Sequence, residues 1–238
     1  MRPKLSVNVN KVATLRNARG GTIPNLLEFA SQVEACGGQG ITVHPRPDQR
    51  HIRYQDVHDL SQRVTTEFNI EGYPSPAFLQ LVEQVKPTQV TLVPDGPNAL
   101  TSNAGWDLRK HQIFLTGIVR RLQSQGMRVS LFVEPSSAIM EYAKSTGADR
   151  IELYTENYAK TYGESAELAI EPYVKAALAA KELNLGINAG HDLNLENLRY
   201  FASHLPGLLE VSIGHALIAD CLYEGLQTVL KKYLSCLS

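Results

Sequence analysis

Eight short β-rich runs recur along the 238 residues, at 5–9, 40–43, 68–70, 89–93, 128–133, 150–153, 185–188 and 209–213. Between most of them lie segments whose apolar residues return at helical spacing. One carries Leu26, Leu27, Ala30 and Val33 and is closed by Gly37-Gly38. Ser75-Pro76 reads as an N-cap and first helical position, and Lys86-Pro87 as the stop of the same helix. Gly147 closes a helix over 137–144, and Asn184 ends a long alanine-rich helix that starts near Ser165. Regular alternation of strand and helix implies parallel strands with crossover helices, in an open doubly wound sheet or a closed barrel. Eight units favour the closed (β/α)8 TIM barrel, as does the absence of Gly-x-Gly-x-x-Gly after the first strand. The length is that of one such barrel, so a single domain over 1–238 is expected. Two connections, 11–24 and 95–106, exceed an ordinary strand-to-helix turn and read as loops that clamp substrate on the catalytic face.

Charge and cysteine usage narrow the partners. A formal net charge of -1 supplies no global field to attract nucleic acid or an anionic membrane, so any anion preference must be local. Cys36, Cys221 and Cys236 form no CxxC pair, which argues against a disulfide framework or a zinc cluster. No run approaches 18 apolar residues and residues 1–10 contain no apolar signal core, so a soluble cytoplasmic protein is expected.

A barrel enzyme builds its site at the C-terminal ends of the strands, so the side chain that closes each strand is informative. Strand one ends Asn8-Val9-Asn10, strand two at His44, strand three at Glu71, strand six near Glu152, strand seven at His191 and strand eight at His215. Three histidines and two carboxylates converging on one axis suit proton shuttling, because imidazole exchanges protons near pH 7 and a buried Glu can be tuned upward. Gly190 precedes His191 and Gly214 precedes His215, at the strand ends where barrels commonly hold phosphate on backbone N–H groups. Basic residues gather after strands one and two: Lys11, Arg16 and Arg19, then Arg46, Arg50, His51 and Arg53. Two anion sites suit either two phosphorylated substrates or one bisphosphate. Competing structural roles stay open at this point: Glu71 and Glu152 as ion-pair partners, the 46–53 run as a solvated loop, Arg16 and Arg19 as braces, Tyr154 and Tyr158 as packing residues. The His-x-His that many metal-dependent barrel hydrolases carry on strand one is replaced by Asn8 and Asn10, so no metal is expected.

Residues 7–20 (VNVNKVATLRNARG), Gly40-Ile-Thr-Val-His44, Arg50-His-Ile52, Asn188-Ala-Gly-His191 and Ile213-Gly-His-Ala216 resemble the pyridoxine 5′-phosphate synthase family, in order and over nearly the whole chain. The resemblance implies a (β/α)8 barrel with extra helices, usually a homo-octamer, with no metal or organic cofactor. It implies condensation of 1-deoxy-D-xylulose 5-phosphate with 3-amino-2-oxopropyl phosphate to pyridoxine 5′-phosphate, phosphate and water. By matched position it implies His44 and Glu71 as proton acceptors, His191 as proton donor and Glu152 as a transition-state stabiliser. Asn8, Arg19, Gly214 and His215 would hold the aminoketone phosphate; Arg46, His51 and Thr101 the deoxyxylulose phosphate. Two departures stand out. Asn10-Lys11 replaces the Asp-His of many members, with both residues still able to meet substrate. Asp192 follows the strand-seven histidine where many members have Gly; its backbone N–H remains a donor, and its carboxylate would have to point away from a phosphate. A Schiff-base aldolase using Lys11, or a sensor that binds phosphorylated ligands without turnover, are the alternatives.

Overall fold

The computed structural model describes residues 2–95 and 104–238. Thr101 and most of the 95–106 connection therefore lie outside the described residues. Eight parallel strands close into a barrel in chain order: β1 (Lys4–Asn8), β2 (Gly40–Val43), β3 (Glu67–Gly72), β4 (Gln89–Leu92), β5 (Arg128–Val133), β6 (Arg150–Tyr154), β7 (Gly186–Gly190) and β8 (Leu208–Ile213). Each pairs with the next, and β8 returns to β1 through Lys4 opposite Glu210 and Val7 opposite Ile213. The helices are α1 (Asn10–Asn17), α2 (Leu26–Ala35), α3 (Tyr54–Ser61), α4 (Pro76–Val85), α5 (Leu108–Gln123), α6 (Met140–Ser145), α7 (Glu156–Thr161), α8 (Ala166–Glu182), α9 (Leu198–His204), α10 (His215–Glu224) and α11 (Leu226–Cys236).

The punctuation read from the sequence acts as expected. Ser75 Oγ accepts the Phe78 N–H at the start of α4, with Pro76 at its first position. That helix ends on Lys86 in the left-handed conformation (φ 50°) ahead of Pro87. Gly147 (φ 83°) and Asn184 (φ 54°) take the same region after α6 and α8. The 137–144 helix begins as one 3-10 turn, Ser137–Ile139, before α6.

One expectation fails: the first half of the 11–24 connection is helix, not loop. α1 has Val9 at its N-cap, no side-chain cap and no acid in its first turn, so it carries none of the usual start signals. Only Val12, Ala13 and Arg16 are buried on it. The third of these is an ion pair made across the fold: Arg16 donates to both carboxylate oxygens of Asp56 on α3, at 2.6 and 2.8 Å, and to the His51 carbonyl at 3.2 Å. A distant partner holds this helix, and a local reading cannot see it.

Alternation along the strands sorts the side chains into two layers. The outward set, including Leu5, Val7, Ile41, Val43, Ile70, Val90, Leu131, Ile151 and Val211, is fully buried under the helices and forms the main hydrophobic core. The inward set is largely polar, unlike the branched aliphatic filling common in such barrels. Ser6, Thr42, Asn69 and Thr91 run round the interior in contact, Ser6 Oγ to Thr42 Oγ1 at 2.8 Å and Thr91 Oγ1 donating to Asn69 Oδ1 at 3.0 Å. Nearer the N-terminal ends, Arg150 donates to Asn188 and lies 3.5 Å from Glu210, while Arg128 bridges Gln89 and Glu67. Most buried polar groups in a barrel find such partners; among the described residues Gln89 Nε2 and Ser130 Oγ are the buried side-chain atoms that do not. A small apolar cluster, Val93, Phe132 and Tyr154, stands apart from the main core.

Candidate active site

A cavity of about 630 Å³ opens at the C-terminal ends of the strands. Asn8, Asn10, Lys11, His44, Arg46, His51, Glu71, Glu152, His191, Asp192, Gly214 and His215 all line it, so the strand-end residues singled out from the sequence do converge. Arg19 is exposed beyond α1 and is not among the lining residues. Thr101 lies outside the described residues. The two acids sit differently from their listing as strand-closing residues: Glu71 is next to last in β3, whereas Glu152 is central in β6 and reaches up from the polar interior.

Local structure fixes each group. Asn8 Oδ1 accepts the Asn10 N–H at 3.1 Å, and Asn10 Oδ1 accepts the His44 N–H at 3.0 Å. An amide oxygen at position 10 thus ties strand one to the end of strand two by an acceptor alone, a task a carboxylate performs equally well. His44 Nδ1 stands 3.9 Å from Glu71 Oε2. Arg46 donates to Asp95 at 2.8 Å in a buried ion pair. His51 Nδ1 accepts the Ile52 N–H at 2.9 Å, which leaves its Nε2–H as the donor. Thr91 Oγ1 lies 3.4 Å from Glu152 Oε2. At the other side, His191 Nδ1 meets Asp192 Oδ2 at 2.5 Å, and the Tyr154 ring stands edge-on to the imidazole with centroids 5.1 Å apart.

Close approach explains two glycines. A Cβ on Gly190 would fall 2.4 Å from Glu152 Oε1, and one on Gly214 would fall 3.1 Å from the Asn8 Cβ. Gly214 precedes α10, and His215 is that helix's first residue. The first α10 backbone bond runs from the Ile218 N–H to the Gly214 carbonyl, so the amides ahead of it have no intrahelical acceptor. The Asp192 N–H, by contrast, is directed to Thr155 Oγ1 at 3.2 Å.

Burial separates the protonation states. Loss of solvent, with the positive charges of Arg46 and Arg50 and the neighbouring His51, holds the His44 imidazolium well below the ordinary histidine range. Desolvation, then Arg46 and Lys11, holds His51 at about 4. Desolvation and the negative charges of Glu152 and Asp95 push Glu71 well above an ordinary carboxyl, and burial raises Glu152 to about 7 against the opposing Thr91 hydrogen bond. The cavity thus sets two imidazoles biased toward the neutral form, His44 and His51, beside two carboxyls biased toward the protonated form, Glu71 and Glu152. Among the described residues no group of three or more His, Cys, Asp or Glu side chains is placed to hold a metal ion.

Thr14, Val93, Phe132 and Ser212 also line the cavity and were not singled out from the sequence. Period-two polarity within strands, as in Asn69-x-Glu71, Gln89-x-Thr91 and Glu210-x-Ser212, was the signal available for the inward polar positions. Trp106 is buried and donates its indole N–H to the Leu92 carbonyl at 2.9 Å.

Residues 5–238 match the family model described as pyridoxal phosphate biosynthesis protein PdxJ. The chain is 59% identical over 231 residues to the pyridoxine 5′-phosphate synthase of Cytophaga hutchinsonii, covering 97% of each chain. It is 59% identical over 234 residues to the enzyme of the same name from Parabacteroides distasonis, covering 98% of each. Among solved structures, 3-keto-L-gulonate-6-phosphate decarboxylase from Vibrio cholerae superposes with a TM-score of 0.68 at 8% identity, covering 100% of this chain and 98% of that one. A Thermotoga maritima phosphoribosylanthranilate isomerase gives 0.61 at 16% identity, covering 98% and 97%. At such identities the two structures are alike in fold.

Proposed function

The chain belongs to the pyridoxal phosphate biosynthesis protein PdxJ family, and from that premise we propose that it is a pyridoxine 5′-phosphate synthase, condensing 1-deoxy-D-xylulose 5-phosphate with 3-amino-2-oxopropyl phosphate. The products are pyridoxine 5′-phosphate, inorganic phosphate and water. Membership makes the chain an enzyme of vitamin B6 biosynthesis. The observation that carries the proposed chemistry is the close placement of His44 and Glu71, 3.9 Å apart, in a cavity that Glu152 and His191 also line.

The substrate's own amine attacks the ketone of its partner, so the protein needs no nucleophile; it must orient two anionic substrates and move protons during dehydration and ring closure. His44, kept neutral by burial and by nearby cations, has a lone pair to accept one of them. Burial, with Glu152 and Asp95 opposing its charge, biases Glu71 toward its protonated form in the ligand-free cavity. An ammonium entering beside it favours ionisation, which converts Glu71 into an acceptor when the aminoketone is bound. His191 serves as proton donor, and Glu152 faces positive charge that develops on the condensing nitrogen. Asn8, Gly214, His215 and the open amides of α10 suit the aminoketone phosphate, with Arg19 approaching from outside the cavity. Arg46, the Nε2–H of His51 and Thr101 suit the deoxyxylulose phosphate. Lys11, Asn10 and Asp192 line the same cavity, which supports their assignment to the substrate site.

The whole chain then acts as one catalytic domain, with no metal or organic cofactor, in the cytoplasm and as a homo-octamer. No described helix is long and apolar enough to cross a membrane. The test is to mix purified protein, without added metal, with both substrates and follow pyridoxine 5′-phosphate and phosphate. Formation of both supports the synthase; binding without product points to a sensor, and a borohydride-trapped adduct on Lys11 to an aldolase. Light scattering decides the octamer.

A further inference from the structure

His191 is held in a conformation that its own chain does not favour. Its φ is 100°, a region that L residues rarely occupy and that persists only where the surrounding structure over-determines it. Both peptide groups flanking it are fastened to one buried residue, Thr155. The Thr155 N–H and hydroxyl donate to the Gly190 carbonyl at 3.2 and 2.7 Å, and Thr155 Oγ1 accepts the Asp192 N–H at 3.2 Å. Asn197 Nδ2 donates to the Asp192 carbonyl at 3.4 Å from the far side. So pinned, the backbone turns the Asp192 carboxylate back onto the preceding ring, 2.5 Å from Nδ1. The Tyr154 ring closes the edge of the imidazole.

We propose that Asp192 is a positioning residue for His191: its carboxylate accepts the Nδ1–H, so that the ring takes up its transferable proton at Nε2 and, as the imidazolium, releases it from Nε2 to substrate, while Thr155 holds the backbone that makes the contact possible. A carboxylate only accepts, so Nδ1 must carry hydrogen for the bond to form. A free imidazole has no such constraint and divides between tautomers. The inference rests on His191 acting as a proton donor in the proposed reaction, and it replaces a direct substrate contact for Asp192 with an indirect one.

The ring nitrogens of His191 give a test that does not require turnover. With 15N-histidine-labelled protein at a pH where the imidazole is neutral, and His191 assigned through His191→Gln, the wild type should show the Nδ1–H tautomer. Asp192→Ala should shift it to the mixture of a free imidazole, and Thr155→Val, which keeps the shape but not the hydroxyl, should do so in part. In steady state, Asp192→Ala should lower kcat by roughly 10- to 100-fold, a share of what a placed general acid contributes, with both KM values within about threefold of wild type. Asp192→Asn, which keeps an acceptor oxygen, should lose less. An unchanged tautomer in Asp192→Ala, or a raised KM with kcat intact, overturns the proposal. If the wild type forms no pyridoxine 5′-phosphate, the synthase proposal fails by itself and the tautomer still decides the role of Asp192.

Discussion

The Arg16–Asp56 pair fastens the loop that presents His51 to the cavity, so removing one partner should destabilise the fold and loosen the site together. Arg16 is 6% exposed and spends its guanidinium on both Asp56 oxygens, on the His51 carbonyl and on Asn17 Oδ1. Asp56 also accepts the Arg53 N–H at 2.7 Å, at the start of α3. Asp56→Ala removes every acceptor of that carboxylate and leaves a buried cation without its counter-charge, a change that costs about 3–5 kcal/mol. For a chain of this size each kcal/mol lowers Tm by roughly 2–4 °C, so a fall of about 6–20 °C is expected. Replacing both partners with apolar residues, Arg16→Met with Asp56→Leu, removes the stranded charge and should recover most of the loss. Urea denaturation of the wild type, the single variants and the pair closes the cycle, with binding of 1-deoxy-D-xylulose 5-phosphate measured in parallel because His51 hangs from the same guanidinium. If Asp56→Ala unfolds within about 1 kcal/mol of wild type, the brace contributes nothing and the reasoning is refuted.

Three further outcomes follow from the barrel interior. Burial, with Glu67 alongside, raises Glu210 to about 8, above its value in an unfolded chain, so its stabilising contribution is complete below about pH 4.5 and is lost as pH rises through 8; Glu210→Gln should therefore flatten the decline in unfolding free energy between pH 5 and 8.5 by up to ~4 kcal/mol, and an unaltered slope would dismiss this carboxyl. Gly190→Ala sets a methyl 2.4 Å from Glu152 Oε1 in a packed interior, which should cost about 1–3 kcal/mol in denaturant and depress kcat well beyond any change in KM; normal kinetics would show that Glu152 has room to move. Glu71→Gln preserves the shape of the cavity but not the proton transfer, so turnover should fall roughly 10²- to 10⁴-fold while calorimetry still detects substrate binding; undiminished turnover would remove Glu71 from the chemistry.

Periodicity and punctuation sufficed for the architecture. Eight β-rich runs, Ser75-Pro76 before α4 and left-handed caps at Gly147 and Asn184 are local signals, because hydrogen bonding and backbone conformation over a few residues decide them. The same alternation identified His44, Glu71, His191 and His215, since a parallel barrel must deliver the ends of its strands to one mouth. Three-dimensional contact decided the rest. α1 carries no start signal and depends on Asp56, forty residues away along the chain. Glu152 stands nearly at its titration point because the fold removes its water, and Asp192 turns toward His191 because Thr155 fastens the peptides on either side. Sequence pattern states which side chains share a face; desolvation, charge coupling and ring orientation are properties of groups brought together from distant strands, and they exist only once the barrel has closed.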